Sequence, residues 1–159
     1  MHAYYADHFV LPLPEGHRFP MRKYSRLRDR LTQELPGVLM REAPSASDGE
    51  LALVHTPAYI QGVSNGTLEP ALQREIGFPW TPAMAERSVR SAGASVAAGR
   101  LAMREGIAGN LAGGTHHASA NQGGVVIVQQ ALYENHPNDS RVTGPHDIAP
   151  TVVSRYGTG

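Results

Sequence analysis

The sequence has no cysteine, no excess charge of either sign, and no apolar run approaching the length of a membrane span. Each absence removes a class of function. Without thiols the chain holds no disulfide scaffold, no thiolate zinc finger and no cysteine nucleophile. The same lack fits the reducing cytoplasm. Lys plus Arg number 14 and Asp plus Glu 14, and this balance argues against a general binder of nucleic acid or anionic membrane, which carries a basic excess. Met1-His2-Ala3-Tyr4 offers no basic n-region, and Asp7 and His8 interrupt any apolar h-region, so no signal peptide is expected. The expectation is a cytoplasmic protein with no membrane and no direct nucleic-acid partner.

What is present suits a globular domain. With 159 residues, 41% apolar and 18% charged, the chain is large enough to bury a core unaided. Its 17 glycines and 12 prolines make it loop-rich without a collagen-like composition. Ala3-Tyr4-Tyr5-Ala6 reads as a strand, and the prolines and glycine between Leu11 and Pro20 impose a loop. Tyr24, Leu27, Leu31 and Leu35 then recur at helical spacing until Pro36-Gly37. Val38-Leu39-Met40 begins a second short strand.

Ser47 and Glu50 have the spacing of a capping box ahead of a short helix over Leu51 to His55. Thr56-Pro57 and Thr81-Pro82 each pair a capping threonine with proline at the first helical position. The second pair opens the longest helix, on which Ala85, Val89, Ala92, Val96, Gly99 and Met103 form a face of mostly small residues. Such a face lets a helix lie close to a sheet. Ile107 to Gly114 follows as a strand. Strands alternating with helices predict an α/β protein with a partial parallel sheet flanked by helices.

The strand that begins at Ile107 runs out through Gly113-Gly114-Thr115 into the tandem pair His116-His117. Ligand sites of open α/β sheets lie at the carboxyl ends of strands, and the two glycines permit close backbone approach there. Two adjacent imidazoles in a shielded pocket do not both charge easily, so they tend to divide acid and base roles. Chance occurrence among eight histidines is the competing reading. Metal binding is a third, weakened because neighbours on extended backbone point apart.

Gly113-Gly114-Thr115-His116-His117-Ala118 resembles the tandem-histidine motif of the zinc-dependent histone deacetylase family, in its bacterial and class IV-like form. Three further segments agree in order. Tyr4-Tyr5 with Leu11-Pro12 through His17 to Tyr24 is similar to the family's N-terminal loop and first helix. Leu53 to Ile60 resembles its next helical segment, and Ile76-Gly77-Phe78-Pro79-Trp80-Thr81-Pro82 resembles a characteristic loop. Together they span residues 4 to about 122.

The resemblance implies the N-terminal part of the arginase/deacetylase fold. It also implies a hydrolase that removes acetyl groups from acetyl-lysine or small acetylated amines with the help of zinc. His117 matches the general base and His116 its electrostatic partner. Lys23 matches a basic residue of the inner cavity from which product leaves, with a solvated lysine at a helix end as the alternative. Gly113 and Gly114 match the substrate-side backbone. His17 is expected to be structural, and His55 and Tyr59 to pack beneath the site.

The match fails after Gln122. The family's Asp-x-Asp-x-His step has no counterpart, and Asp139, His146 and Asp147 lack its spacing, so no metal ligands are identifiable and the expected zinc is left without a site. Residues 1–122 therefore read as a deacetylase-like portion and 123–159 as a divergent tail, frame-disrupted or poorly ordered, in which Val125 to Val128 has strand composition. A truncated, non-catalytic remnant or interaction fragment is the alternative function. The small-residue helix would then lack part of its sheet, and exposed apolar surface would favour self-association.

Overall fold

The N-terminal strand is built from small and aromatic residues, and it becomes the centre of the sheet's parallel part. In the computed structural model, residues 1–17 and 19–113 are described with their side chains and residues 151–154 as backbone. The elements are β1 (His2–Tyr5), α1 (Arg22–Glu34), β2 (Leu39–Glu42), α2 (Asp48–Leu51), α3 (Pro57–Asn65), α4 (Pro70–Ile76), α5 (Pro82–Glu105), β3 (Ile107–Asn110) and β4 (Thr151–Ser154). The sheet order is β2-β1-β3-β4. β1 pairs in parallel with β2, His2 opposite Leu39, and with β3, His2 opposite Ala108. β4 pairs antiparallel to β3, with Asn110 opposite Thr151.

The α/β class with a parallel three-strand sheet and flanking helices is therefore as expected. The antiparallel fourth strand was not. β2 is an edge strand among the described residues, and its Leu39 is exposed. Among those residues no helix is long and apolar enough to cross a membrane.

Local chemistry fixes the helix starts. The Thr56 side chain accepts from the Tyr59 amide, that of Thr81 accepts from the Met84 amide, and proline follows each cap. Ser47 and Glu50 form a full capping box. The helix behind it is displaced from the expected Leu51 to His55: it starts at Asp48, directly after the Ser47 cap, and ends at Leu51, and the chain turns through residues 52–54. Gly66 ends α3 in the left-handed region (φ +70), with the Trp80 ring packed where a Cβ would stand. The Trp80 indole N–H donates to the Val63 carbonyl at 2.7 Å, which pins the loop before α5 to α3.

The capping box has a measurable pH signature. The Ser47 amide and hydroxyl donate to the Glu50 carboxylate at 2.8 and 2.9 Å and, with Arg100, hold its pKa below the usual carboxylate range. A depressed folded-state pKa contributes stability above the unfolded value, and that contribution is lost as pH falls through the folded one. Ser47→Ala is expected to cost about 1 kcal/mol at neutral pH. Urea denaturation below about pH 4.3 should show wild type losing stability faster than Glu50→Gln. Parallel acid profiles would contradict this account.

The central core is small-residue packing. Ala6, Ala43, Ala94, Ala98, Ala102, Ala108 and Ala112 are buried together with Tyr4, Tyr24 and Leu101. The close helix–sheet approach is as anticipated, but the helix face is not. Of the anticipated residues only Ala92 is buried, while Ala85, Val89, Val96 and Gly99 are half-buried and Met103 is exposed. The buried face carries Met84, Arg87, Ser91, Ala94, Ser95, Ala98, Leu101 and Ala102. Three of these are polar, and each has partners that offset its desolvation.

Candidate active site

Since β2 and β3 lie on opposite sides of β1, the crossovers diverge at β1. The crevice outside the carboxyl ends of β1 and β3 is thus a topological switch point, where open α/β sheets bind ligands. One stripe of α5 organises both strand exits: Arg87, Ser91 and Ser95, four residues apart on one face.

Arg87 holds the exit of β1. Its side chain is 3% exposed, and Nη1 donates to the carbonyls of Ala6 and Phe9 at 3.0 and 2.9 Å. The guanidinium lies over the Tyr24 ring, 4.5 Å from its centroid. Burial lowers the Arg87 pKa, while Tyr24 and Asp7 oppose that shift. Burial raises that of Tyr24, with Arg87 opposing. Asp7, on the same exit loop, pairs with Arg28 at 3.1 Å.

Ser91 and Ser95 hold the exit of β3. Asn110, fully buried, donates through Nδ2 to the Ser91 carbonyl at 3.0 Å and to the Ser95 hydroxyl at 2.8 Å. Its Oδ1 accepts from the Ala112 amide at 2.9 Å. The Ser91 hydroxyl donates to the Ala112 carbonyl. Gly113, buried, comes next.

Lys23 stands near Arg87, at the start of α1. It is half-buried, with Nζ 4.6 Å from the Phe19 ring centroid and 4.9 Å from that of Tyr24. Burial, and secondarily the Arg87 charge, lower its pKa below the usual lysine range. It also lines an open groove with Arg22, Arg26 and Arg30. His17 Nδ1 accepts from the Phe19 amide at 3.1 Å. His55 and Tyr59 are buried with ring centroids 5.1 Å apart.

Gly114, His116 and His117 lie outside the described residues, as do Val125 to Val128, Asp139, His146 and Asp147. Among the described residues no group of three or more His, Cys, Asp or Glu side chains is placed to hold a metal ion. The zinc that the resemblance implies finds no ligand set there. Sequence reasoning missed Arg87, Ser91, Ser95 and Asn110. The only sequence signal of the first three was polar residues at four-residue spacing on a helix rich in alanine, and Asn110 stands on β3 with no such spacing.

Comparison with known proteins agrees with this architecture. The sequence matches the histone deacetylase domain over residues 17–125. It is 40% identical over 125 residues to an uncharacterized protein of Picosynechococcus sp. (strain PCC 7002), covering 76% of this chain and 41% of the relative. The chain therefore spans about two fifths of the length of that relative. With most of its length matched, from the N-terminal loop through the exit of β3, the chain belongs to the histone deacetylase domain family.

Proposed function

We propose that this chain is part of a hydrolase that removes acetyl groups from acetyl-lysine or small acetylated amines. The observation that supports the reading best is the course of β3. A strand of this family's domain leaves the sheet at the switch point, in a fixed turn, and its next residues are Gly114-Thr115-His116-His117. In this reading His117 takes a proton from water as the water oxygen bonds to the acetyl carbon. It then gives that proton to the amine nitrogen as the C–N bond breaks, releasing acetate and free amine. Imidazole suits both halves because its pKa lies near neutrality. His116 tunes the electrostatics of the step, Gly113 and Gly114 let backbone approach the substrate, and Lys23 attracts the departing carboxylate. Zinc belongs to this proposal at the level of the family only, because the described residues offer it no ligand set.

The test is turnover of an acetyl-lysine peptide by the full chain, with zinc content measured in the same sample. The expected result is turnover that falls on the order of 10²-fold or more in His117→Ala. A folded sample with neither turnover nor bound zinc would sink the enzymatic reading and favour a non-catalytic remnant.

A further inference from the structure

We propose that Ser91 and Asn110 are positioning residues for the tandem-histidine segment, setting the direction in which the chain leaves the sheet. The inference rests on reading His116 and His117 as the acid/base pair. At Leu111 the ladder still operates, since its amide donates to the Tyr4 carbonyl at 2.9 Å. At Ala112 side chains take over. The Ala112 amide donates to Asn110 Oδ1, and the Ala112 carbonyl accepts from the Ser91 hydroxyl. Both backbone polar groups of one residue are therefore held by two side chains from different elements.

The clamp is itself fully tied. Asn110 Nδ2 donates to the Ser91 carbonyl and to the Ser95 hydroxyl, and the Ser95 hydroxyl donates to the Ser91 carbonyl at 3.2 Å. Asn110 is 0% exposed, and Ser91 and Ala112 are each 1% exposed, so water does not compete for these bonds. A dry, fully satisfied network admits one geometry.

The two residues that follow explain why such a fixture is useful. Glycine has the widest backbone freedom of any residue, and Gly113-Gly114 stands directly before Thr115-His116-His117. A strand end that simply frayed would leave the imidazoles undirected. The clamp fixes the last residue before the glycines, so the direction in which the chain leaves the sheet is set upstream of them. Ser91 touches no reacting atom in this scheme, and its effect passes through the Ala112 carbonyl.

The experiment uses the full chain labelled with 15N-histidine and compares Ser91→Ala, Ser91→Thr and Asn110→Asp with wild type. The imidazole resonances of His116 and His117 are assigned through His116→Gln and His117→Gln. Ser91→Ala should displace both sets of resonances while those of exposed His8 and His17 stay in place. Ser91→Thr, which restores a hydroxyl, should return them.

Where wild type turns over an acetyl-lysine peptide, Ser91→Ala should lower kcat about tenfold or more with KM little changed, since a misplacement of ~1 Å costs on the order of 10²-fold. If Ser91→Ala fails to fold, Asn110→Asp carries the same readout, because it keeps Oδ1 for Ala112 and removes both amide donors. Imidazole resonances of His116 and His117 unchanged in a folded variant would overturn the proposal. So would equal displacement of all histidines, or no rescue by threonine. A wild type without turnover fails the deacetylase reading alone, and the resonances still decide the positioning role.

Discussion

Gly93→Ala should cost about 3 kcal/mol or more, at the upper end of what overpacking does in a closely packed interior. Gly93 sits mid-helix in α5, where the segment after β2 crosses it. A Cβ there would collide with the Pro44 carbonyl oxygen, and would stand 2.6 Å from the Ala46 amide nitrogen and 2.7 Å from the Ser45 carbonyl carbon. All three are backbone atoms, which do not swing aside as a side chain does. They are also fixed on either flank: the Ala46 amide donates to the Val89 carbonyl at 2.9 Å, and Arg90 donates to the Ala43 carbonyl at 3.0 Å. To admit a methyl group the helix would have to lift from the segment and break those bonds.

The same helix supplies the control. Gly99 has open space at its Cβ position, so Gly99→Ala should stabilise by roughly 0.5–1 kcal/mol through helix propensity. Urea denaturation of both variants separates the effects. A Gly93→Ala protein as stable as wild type would mean that the crossing is not as close as described.

Arg87→Met should destabilise by about 3 kcal/mol, the scale on which a buried charge with its partners is broken up. Methionine fills much of the space but leaves the part-buried Phe9 carbonyl without this donor and the buried Ala6 carbonyl with the Phe9 amide alone, each at a desolvation cost. It also removes the cation from the Tyr24 ring. Arg87→Lys keeps the charge but replaces a planar fork by a point donor, so it should fall between wild type and Arg87→Met.

Tyr24 reports the same change independently. Its pKa is raised by burial and held back by Arg87, so Arg87→Met should raise it further in a phenolate absorbance titration. A raised folded-state phenol pKa gives stability below the unfolded value and loses it as pH climbs through the folded one. Unfolding of wild type should therefore ease above about pH 10. An Arg87→Met protein with unchanged stability and an unchanged Tyr24 titration would show that the guanidinium does not hold the β1 exit.

What the sequence disclosed follows the range of each interaction. Thr56-Pro57, Thr81-Pro82 and the Ser47–Glu50 pair act within one helical turn: the two threonine caps place their helices as expected, and the capping box was legible although its helix begins at Asp48 rather than Leu51. The glycine-histidine motif was legible as a motif, and so was the start of the strand that leads to it, although β3 ends at Asn110 rather than running on to Gly114. The inward face of α5 was not. In a helix of alanines and serines the apolar contrast between faces is slight. Arg87 and Ser91 turn inward because their acceptors, Ala6 and Ala112, lie 81 and 21 residues away. Nothing local marks an arginine as buried when its partners are distant carbonyls. The antiparallel β4 escaped for a related reason, since Thr151 to Ser154 lacks a turn signal tying it to Asn110.

That last strand also settles which edges of the sheet are open. Asn110 is paired with Thr151, so the chain leaves the sheet beyond β3 and re-enters it one strand over, about 4.8 Å away. Both ends of the intervening stretch, residues 114–150, are moored at the same edge. β4 therefore covers the edge of β3, whose N–H and C=O groups would otherwise stand unpaired as a template for another chain. Among the described strands that leaves β2 as the open parallel edge, the one with exposed Leu39.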